Sequence, residues 1–304
     1  MTSLLLMILA LVEVDGIKAT DVTLAREDVV LHGTLLSAPA ASMLAIVHPG
    51  SGPTDRNGNQ PGMQNNSLKL LAEALAAEGL SVLRYDKRAI GASTWAASEA
   101  DIRPSHYIDD YAAWAQWGVS EAGYEQVVLI GHSEGALFAL AAAAQAPVSA
   151  VVTVAGPGRA FGVLLREQTE GRRPGQIGVE FERILSELEA GRTVDEVSPI
   201  LNPLFRPSVQ PYLIELLALD PASLAADLEP LLLVIAGSSD LQVTRADFEA
   251  LAAHASHSKY IDGMNHVLKA VEGDLAAQMA SYADPELPLH PELVPAIAAF
   301  VGRE

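Results

Sequence analysis

Apolar positions along this chain follow two rhythms. Short runs rich in leucine, isoleucine and valine occupy 29–36, 43–47, 80–84, 126–130, 148–154, 231–236 and, more briefly, 259–262. Most are continuous rather than alternating, the pattern of strands buried on both faces. Between them, apolar residues recur at helical spacing. "SLKLLAEALAAE" at 67–78 stops at Gly79, 108–117 gathers Tyr111 and Trp114 on one face, and 136–146, 245–253 and 291–301 read the same way. Strands alternating with helices predict an α/β fold, a mostly parallel sheet covered by helices on both faces.

The alternation breaks after Ala155. From 157 to 227 no strand pattern occurs. "GVEFERILSELEAG" at 178–191 and "VQPYLIELLAL" at 209–219 read as helices, and Pro199, Pro203, Pro207, Pro211 and Pro221 punctuate the stretch. About seventy residues is too long for a simple crossover connection. The expectation is a core formed by 1–156 and 228–304, with 157–227 inserted as a helical cap. Phe161, Phe205, Tyr212 and the leucines of that cap are read as its own packing, with an acyl-pocket lining as the alternative. The start of the chain carries an apolar run at 4–12, long enough for the middle of a signal peptide but without a basic flank or an A-x-A site. A packed terminal element is the competing reading. The compartment stays open, with the cytoplasm favoured over export, and the run is too short to span a bilayer.

Composition narrows the function classes. Half of the 304 residues are apolar, enough for a large core, and the formal net charge is −19. That charge repels nucleic-acid phosphate and anionic lipid, so neither is an expected partner. The chain has no cysteine, which removes disulfides, thiolate nucleophiles and cysteine metal sites. Nothing in the pattern speaks against a homo-oligomer.

"GHSEG" at 131–135 lies between a buried run and a helix of small residues. A serine on such a sharp strand-to-helix turn stands exposed at the edge of the sheet, and Gly131 and Gly135 let strand and helix approach closely. Ser133 is therefore the candidate nucleophile. The backbone N–H of Glu134, at the helix start, is one candidate oxyanion donor. A serine hydroxyl needs a base. Among eight histidines, His32, His48 and His106 precede the serine, His132 is adjacent and points elsewhere, His254 and His257 fall near a polar helix end, and His290 lies in the C-terminal stretch. His266, in "GMNHVLK" after a short strand, sits where α/β sites collect and is the candidate base. The acid belongs between serine and histidine in chain order. Asp240, at the end of "LLLVIAGSSD", is preferred over Asp262, which shares the histidine's own loop.

"VHPGSGPTDRNGN" at 47–59 follows an apolar run. A phosphate loop would end in Gly-Lys-Ser/Thr and open a helix, and a dinucleotide loop would have glycine where Pro53, Asp55 and Arg56 stand. Two readings remain: a turn, or the second oxyanion donor, supplied by the N–H of Ser51 just after Gly50. Asp55 and Arg56 read as a structural clamp on this loop.

These residues, with "RYDKRAIGAS", "PSVQPYL", "AGSSDLQV" and "GMNHVLK", make the chain resemble the α/β-hydrolase fold. Within that fold it is similar to a bacterial esterase group related to serine aminopeptidase-like hydrolases. The resemblance spans roughly 44–270 in family order. It implies a small-molecule ester substrate, mostly of short acyl chains, a helical cap between two late strands, and no metal or organic cofactor. Its catalytic positions fall on Ser133, Asp240 and His266. One departure is Ala89, where the pattern carries glycine. Aminopeptidase action would need a cap carboxylate for the substrate amine, with Glu167, Glu170, Glu180, Glu182, Glu187 and Glu189 as candidates. The same scaffold could also hydrolyse thioesters or bind a ligand without catalysis.

Overall fold

The computed structural model describes residues 13–302 apart from Asp15, Arg172 and Gly273, so the apolar run at 4–12 lies outside the described residues. The chain opens with three strands, β1 (Glu13–Val14), β2 (Ile17–Ala25) and β3 (Val29–Ser37), each antiparallel to the next. Then follow β4 (Met43–His48), α1 (Ser67–Ala77), β5 (Ser81–Tyr85), the two-residue β6 (Thr94–Trp95), α2 (Pro104–Ser120), β7 (Gln126–His132), α3 (Glu134–Ala143) and β8 (Ala150–Val154). Five helices come next: α4 (Phe161–Thr169), α5 (Gln176–Glu189), α6 (Asn202–Phe205), α7 (Gln210–Leu217) and α8 (Pro221–Ala226). The chain closes with β9 (Leu231–Gly237), α9 (Arg245–Ala252), β10 (His257–Ile261), α10 (Leu275–Ser281) and α11 (Leu293–Val301).

The strands form one sheet in the order β1-β2-β3-β5-β4-β7-β8-β9-β10, with β6 paired to β3. From β5 to β10 all neighbours are parallel, while β3 meets β5 antiparallel. The parallel part matches the expectation from sequence, and so does β3, but the antiparallel edge adds β1, β2 and β6, which no apolar run announces. β2 escapes the pattern because its side chains alternate between half-buried and exposed positions. His257 also moves: it opens β10 rather than lying at a helix end.

The central strands are buried on both faces of the sheet, and two separate apolar clusters cover them. One packs α2 and α3 against Leu31, Ile46, Leu83, Leu129 and Val234, with the fully buried Trp114 at its centre. The other packs α1 and α11 against Ala45, Val47, Ile130, Val152 and Ile235. A third cluster lies within the helical stretch, where Phe181, Ile184, Leu185, Leu188 and Phe205 pack on one another. Phe205 is core, as its sequence context predicts, whereas Phe161 and Tyr212 also face a cavity.

Central strand β7 carries the local geometry that matters most. A Cβ at Gly131 would stand 2.2 Å from the carbonyl oxygen of Gly135, and one at Gly135 would stand 2.6 Å from the carbonyl oxygens of His48 and Pro49. Strand β7, helix α3 and the end of β4 can therefore converge only because both residues lack side chains.

Candidate active site

Ser133 joins β7 to α3 with φ 55° and ψ −126°, a conformation that costs on the order of 1–3 kcal/mol in a residue other than glycine. The surroundings hold it there. Its N–H donates to the carbonyl of Val154 (3.0 Å), and its own carbonyl accepts from the N–H of Ala136 (2.9 Å). The strain lifts the hydroxyl out of the sheet toward the loop that follows β10.

That loop brings His266 to the serine. The Ser133 hydroxyl lies 3.1 Å from His266 Nε2, and His266 Nδ1 lies 2.8 Å from Asp240 Oδ2. With the proton on Nδ1, the imidazole donates to the carboxylate and accepts from the serine. Asp240 has no exposed side-chain surface, and its other oxygen accepts from the backbone N–H groups of Gln242 (2.7 Å) and Val243 (3.0 Å). The carboxylate is thus fixed on both oxygens. Asp262, the sequence alternative, lies elsewhere, accepting from the hydroxyl of Ser238 at 2.7 Å. The close approach of the two loops again requires a glycine: a Cβ at Gly237 would meet the carbonyl oxygen of Met264 at 1.9 Å.

His132, which the sequence places beside the serine without a catalytic role, supports this arrangement. Its Nε2–H donates to the carbonyl of His266 (2.8 Å), and the two rings lie 5.0 Å apart. Burial, with the neighbouring His266 as a second cause, brings its pKa down to about 4, so it stays neutral and keeps that proton. Asn265 steadies the same loop from below through the hydroxyl of Ser281 (2.8 Å) and the N–H of Lys269 (3.0 Å). His48 is buried among Tyr85, Tyr107, Tyr111 and Phe138, and burial holds its pKa well below the usual histidine range.

The glycine-rich loop after β4 flanks Ser133 on the other side. A Cβ at Gly50 would stand 2.9 Å from Ser133 Cβ, so this backbone can approach Ser133 only as glycine. Ser51 follows, and its carbonyl accepts from the Thr54 hydroxyl at 2.7 Å. Asp55 and Arg56 do not pair with each other. Asp55 accepts from the N–H groups of Asn57 (2.8 Å) and Asn59 (2.9 Å) within the loop. Arg56 reaches Asp86 with both its backbone N–H and its guanidinium, each at 2.8 Å.

The segment after β5 anchors that loop through three successive charged residues. Asp86 takes Arg56, and Arg88 takes the buried Asp110 on α2 through Nε (2.6 Å) and Nη2 (2.9 Å). Between them, Lys87 is only 1% exposed and donates its ammonium protons to the carbonyls of Gly50 (2.6 Å) and Gly52 (2.8 Å). Burial lowers its pKa to about 8, and the nearby Glu134 carboxylate opposes that shift. Burial likewise raises the Glu134 pKa, against the lowering effects of Lys87 and of a hydrogen bond from Tyr212. The sequence motifs do not single out Lys87. It does lie within the quoted stretch "RYDKRAIGAS", two residues past the buried strand β5, but nothing there marks it apart from its charged neighbours. Ala89, two residues on, has φ +59°, the left-handed region in which glycine is the unstrained choice.

Two cavities meet at the serine. One of about 300 Å³ runs beneath α4 and α7, and Ser51, Ser133 and Glu134 all line it. The other, about 350 Å³, opens on the His266 side. A larger but shallower groove of about 750 Å³, along 26–30 and 94–97, contains neither serine nor histidine. Among the described residues no group of three or more His, Asp or Glu side chains could hold a metal ion, and no helix is long and apolar enough to cross a membrane. A serine bonded to an imidazole that a buried carboxylate orients can lose its proton as it attacks a carbonyl carbon.

Comparison with known proteins agrees with this architecture. Residues 59–172 match a family model described as the alpha/beta hydrolase fold. Esterase EstD of Thermotoga maritima is 27% identical over 248 residues, covering 76% of this chain and 55% of that protein. The chain thus spans about half the length of the curated relative it matches. An esterase of Pyrococcus furiosus superposes with a TM-score of 0.59 at 17% identity, over 94% of this chain and 91% of that one. A proline iminopeptidase of Mycobacterium smegmatis does so with a TM-score of 0.58 at 18% identity, over 93% and 98%. The chain has the α/β-hydrolase fold.

Proposed function

We propose that this protein is a serine hydrolase that cleaves carboxylic esters through an acyl-enzyme. The observation that carries the reading is the unbroken hydrogen-bond chain from Ser133 through His266 to the buried Asp240. Ser133 attacks the ester carbonyl while His266 takes its proton, and Asp240 stabilises the imidazolium and holds its tautomer. The backbone N–H groups of Ser51 and Glu134 receive the negative charge that develops on the carbonyl oxygen. His266 then passes its proton to the departing alcohol, and a water, activated by the same imidazole, releases the acid. The helices from α4 to α8 act as a cap that walls the acyl side and excludes water.

Aminopeptidase action is less well supported, because among the described residues the cavity holds no free carboxylate for the substrate amine. Glu167 is bound to Arg159, Glu182 and Glu189 to Arg166, and Glu187 to Arg192. Glu180 accepts from the N–H of Ser198, and neither it nor Glu170 lines the cavity at Ser133. Glu134 does line it, but Tyr212 already donates a hydrogen bond to its carboxylate.

The test uses p-nitrophenyl butanoate, an acyl-CoA and an aminoacyl anilide, together with fluorophosphonate labelling. The expected result is turnover of the nitrophenyl ester, labelling at Ser133, and a fall in kcat of about 10³-fold or more in Ser133→Ala. Undiminished esterase activity in that purified variant would overturn the assignment.

A further inference from the structure

The two cavities at Ser133 differ in chemistry, and His266 decides which part of the substrate enters each. His266 lines the 350 Å³ cavity and not the 300 Å³ one. When the tetrahedral intermediate collapses, the acyl–oxygen bond breaks and the departing oxygen takes the proton that His266 received from Ser133. The alcohol must therefore leave on the His266 side, and the acyl group must lie on the other.

On the acyl side the walls are Phe161, Leu164, Leu165, Leu213, Leu216 and Val243, while Gln168 donates its amide N–H to the Gln242 carbonyl (2.9 Å) and Gln242 itself stands at the boundary, lining both cavities. The charged groups there are already engaged: Glu134 by a hydrogen bond from Tyr212, and Arg206 by Glu99 at the rim. This cavity offers contact area and little hydrogen bonding.

The alcohol side is different. Thr54, Gln60, Asn65, Gln242 and Tyr282 line it, and among the described residues no Asp, Glu, Lys or Arg does. Gln242 Nε2 donates to the Tyr282 hydroxyl at 3.1 Å, which leaves Gln242 Oε1 as an acceptor and the Tyr282 O–H as a donor. Gln60 Nε2 is taken by Thr54 (2.7 Å) and by the Ser51 carbonyl (3.2 Å), which leaves its Oε1 open. Tyr282 is only 8% exposed and Gln60 and Gln242 are half-buried, so an apolar alcohol filling this cavity would strand the Tyr282 hydroxyl away from water and cover the two amide oxygens without bonding them. An alcohol bearing hydroxyl groups would satisfy them. A phosphate-bearing leaving group, such as that of an acyl-CoA, would find no cation.

We infer that the preferred substrates are esters of an apolar short-chain acid with an uncharged polyhydroxy alcohol, whose free hydroxyls are read by Gln242, Tyr282 and Gln60. This inference rests on the serine-esterase reading and adds the substrate class. The products are a short carboxylic acid and a free polyol.

The experiment compares 1-O-butanoylglycerol and 6-O-butanoylglucose with propyl butanoate, using the full chain. Propyl butanoate shares the carbon skeleton of the glycerol ester and lacks its hydroxyls. The expected result is a kcat/KM at least tenfold higher for one or both polyol esters, since each satisfied hydrogen bond is worth about tenfold. The ratio of polyol to propyl ester should fall about threefold or more in Gln242→Leu and in Tyr282→Phe. A ratio is insensitive to the fraction of folded enzyme, so poor folding of a variant cannot imitate the result. A wild-type ratio near one, or a ratio unchanged in both variants, overturns the inference while hydrolysis of p-nitrophenyl butanoate leaves the esterase reading standing. Failure to hydrolyse any ester, with no fluorophosphonate labelling, overturns both.

Discussion

Replacing Lys87 by methionine should uncouple the glycine-rich loop, the proposed oxyanion donor, from the body of the protein. The ammonium holds the carbonyls of Gly50 and Gly52 at 2.6 and 2.8 Å, flanking the residue whose N–H is the proposed donor. Hydrogen bonds from a charged group contribute about 1.5–3 kcal/mol each, but the buried ammonium gives much of that back in lost hydration. Methionine keeps the length and the apolar stem, so the net loss of stability should be modest, about 1–2 kcal/mol. Activity should suffer more. Removing an oxyanion donor outright costs about 10²–10³ in kcat, and loosening one should cost roughly 10–100-fold with KM little changed.

The pH profile supplies a second test of the same residue. The pKa of Lys87 is brought from 10.5 down to about 8 in the folded protein. Above pH 8 the amine loses its charge and its grip on the two carbonyls weakens, so wild-type kcat should fall on an alkaline limb near pH 8. The stability linkage has the opposite sign. Between pH 8 and 10.5 the unfolded chain binds more protons at this residue than the folded one. Its contribution to stability is therefore full above the upper value and lost as pH falls through the lower. Activity that declines while this contribution favours folding cannot be ascribed to it as unfolding. The assay is p-nitrophenyl butanoate hydrolysis across pH 6–10, with thermal melts by circular dichroism at each pH. The assigned role of Lys87 is refuted if Lys87→Met keeps kcat within about twofold of wild type, or if the alkaline limb persists in it unchanged.

Two further substitutions separate backbone roles from side-chain roles. Ser51→Ala keeps the N–H and should leave kcat within about threefold, whereas Ser51→Pro removes it and should lower kcat about 10²–10³-fold; equal damage from both would count against Ser51 as a donor. Ala89→Gly should relieve the left-handed strain at φ +59° and raise stability by about 1 kcal/mol, or roughly 2–4 °C in Tm, with activity unchanged. A lower Tm in that variant would mean that the Ala89 methyl group packs better than its backbone conformation suggests.

How far the fold is legible in the sequence depends on the range of the interactions involved. The parallel edge strand β10 is largely exposed, whereas the central parallel strands β4, β7 and β8 announce themselves because each is buried along nearly its whole length and so is mostly apolar. The half-exposed β2 does not, since its pattern is diluted by polar positions that face solvent. Gly131 is legible because the constraint on it is local and steric, against Gly135 and Ala136 within five residues, whereas Gly135 is constrained by the distant carbonyls of His48 and Pro49. Gly50 belongs to the same contact but from a distant loop, and its closeness to Ser133 Cβ emerges only once β4 and β7 pair in register.

What the chain determines by itself is therefore the set of groups that can react and the order in which they occur: a serine on a forced turn, a carboxylate at a strand end, and a histidine on a later loop. These follow from backbone sterics and burial over a few residues, which sequence encodes directly. Only the tertiary structure tells Asp240 and Asp262 apart, because both were chemically eligible and it is Asp240 that lies 2.8 Å from the imidazole while Asp262 accepts from Ser238. It also revealed His132 under the histidine loop and Lys87 under the glycine loop, contacts that span 134 and 37 positions of chain. No periodicity carries such contacts. They exist because folding the sheet brings the C-terminal ends of separate strands to one edge, where a buried charge or a buried proton can hold a distant backbone in place.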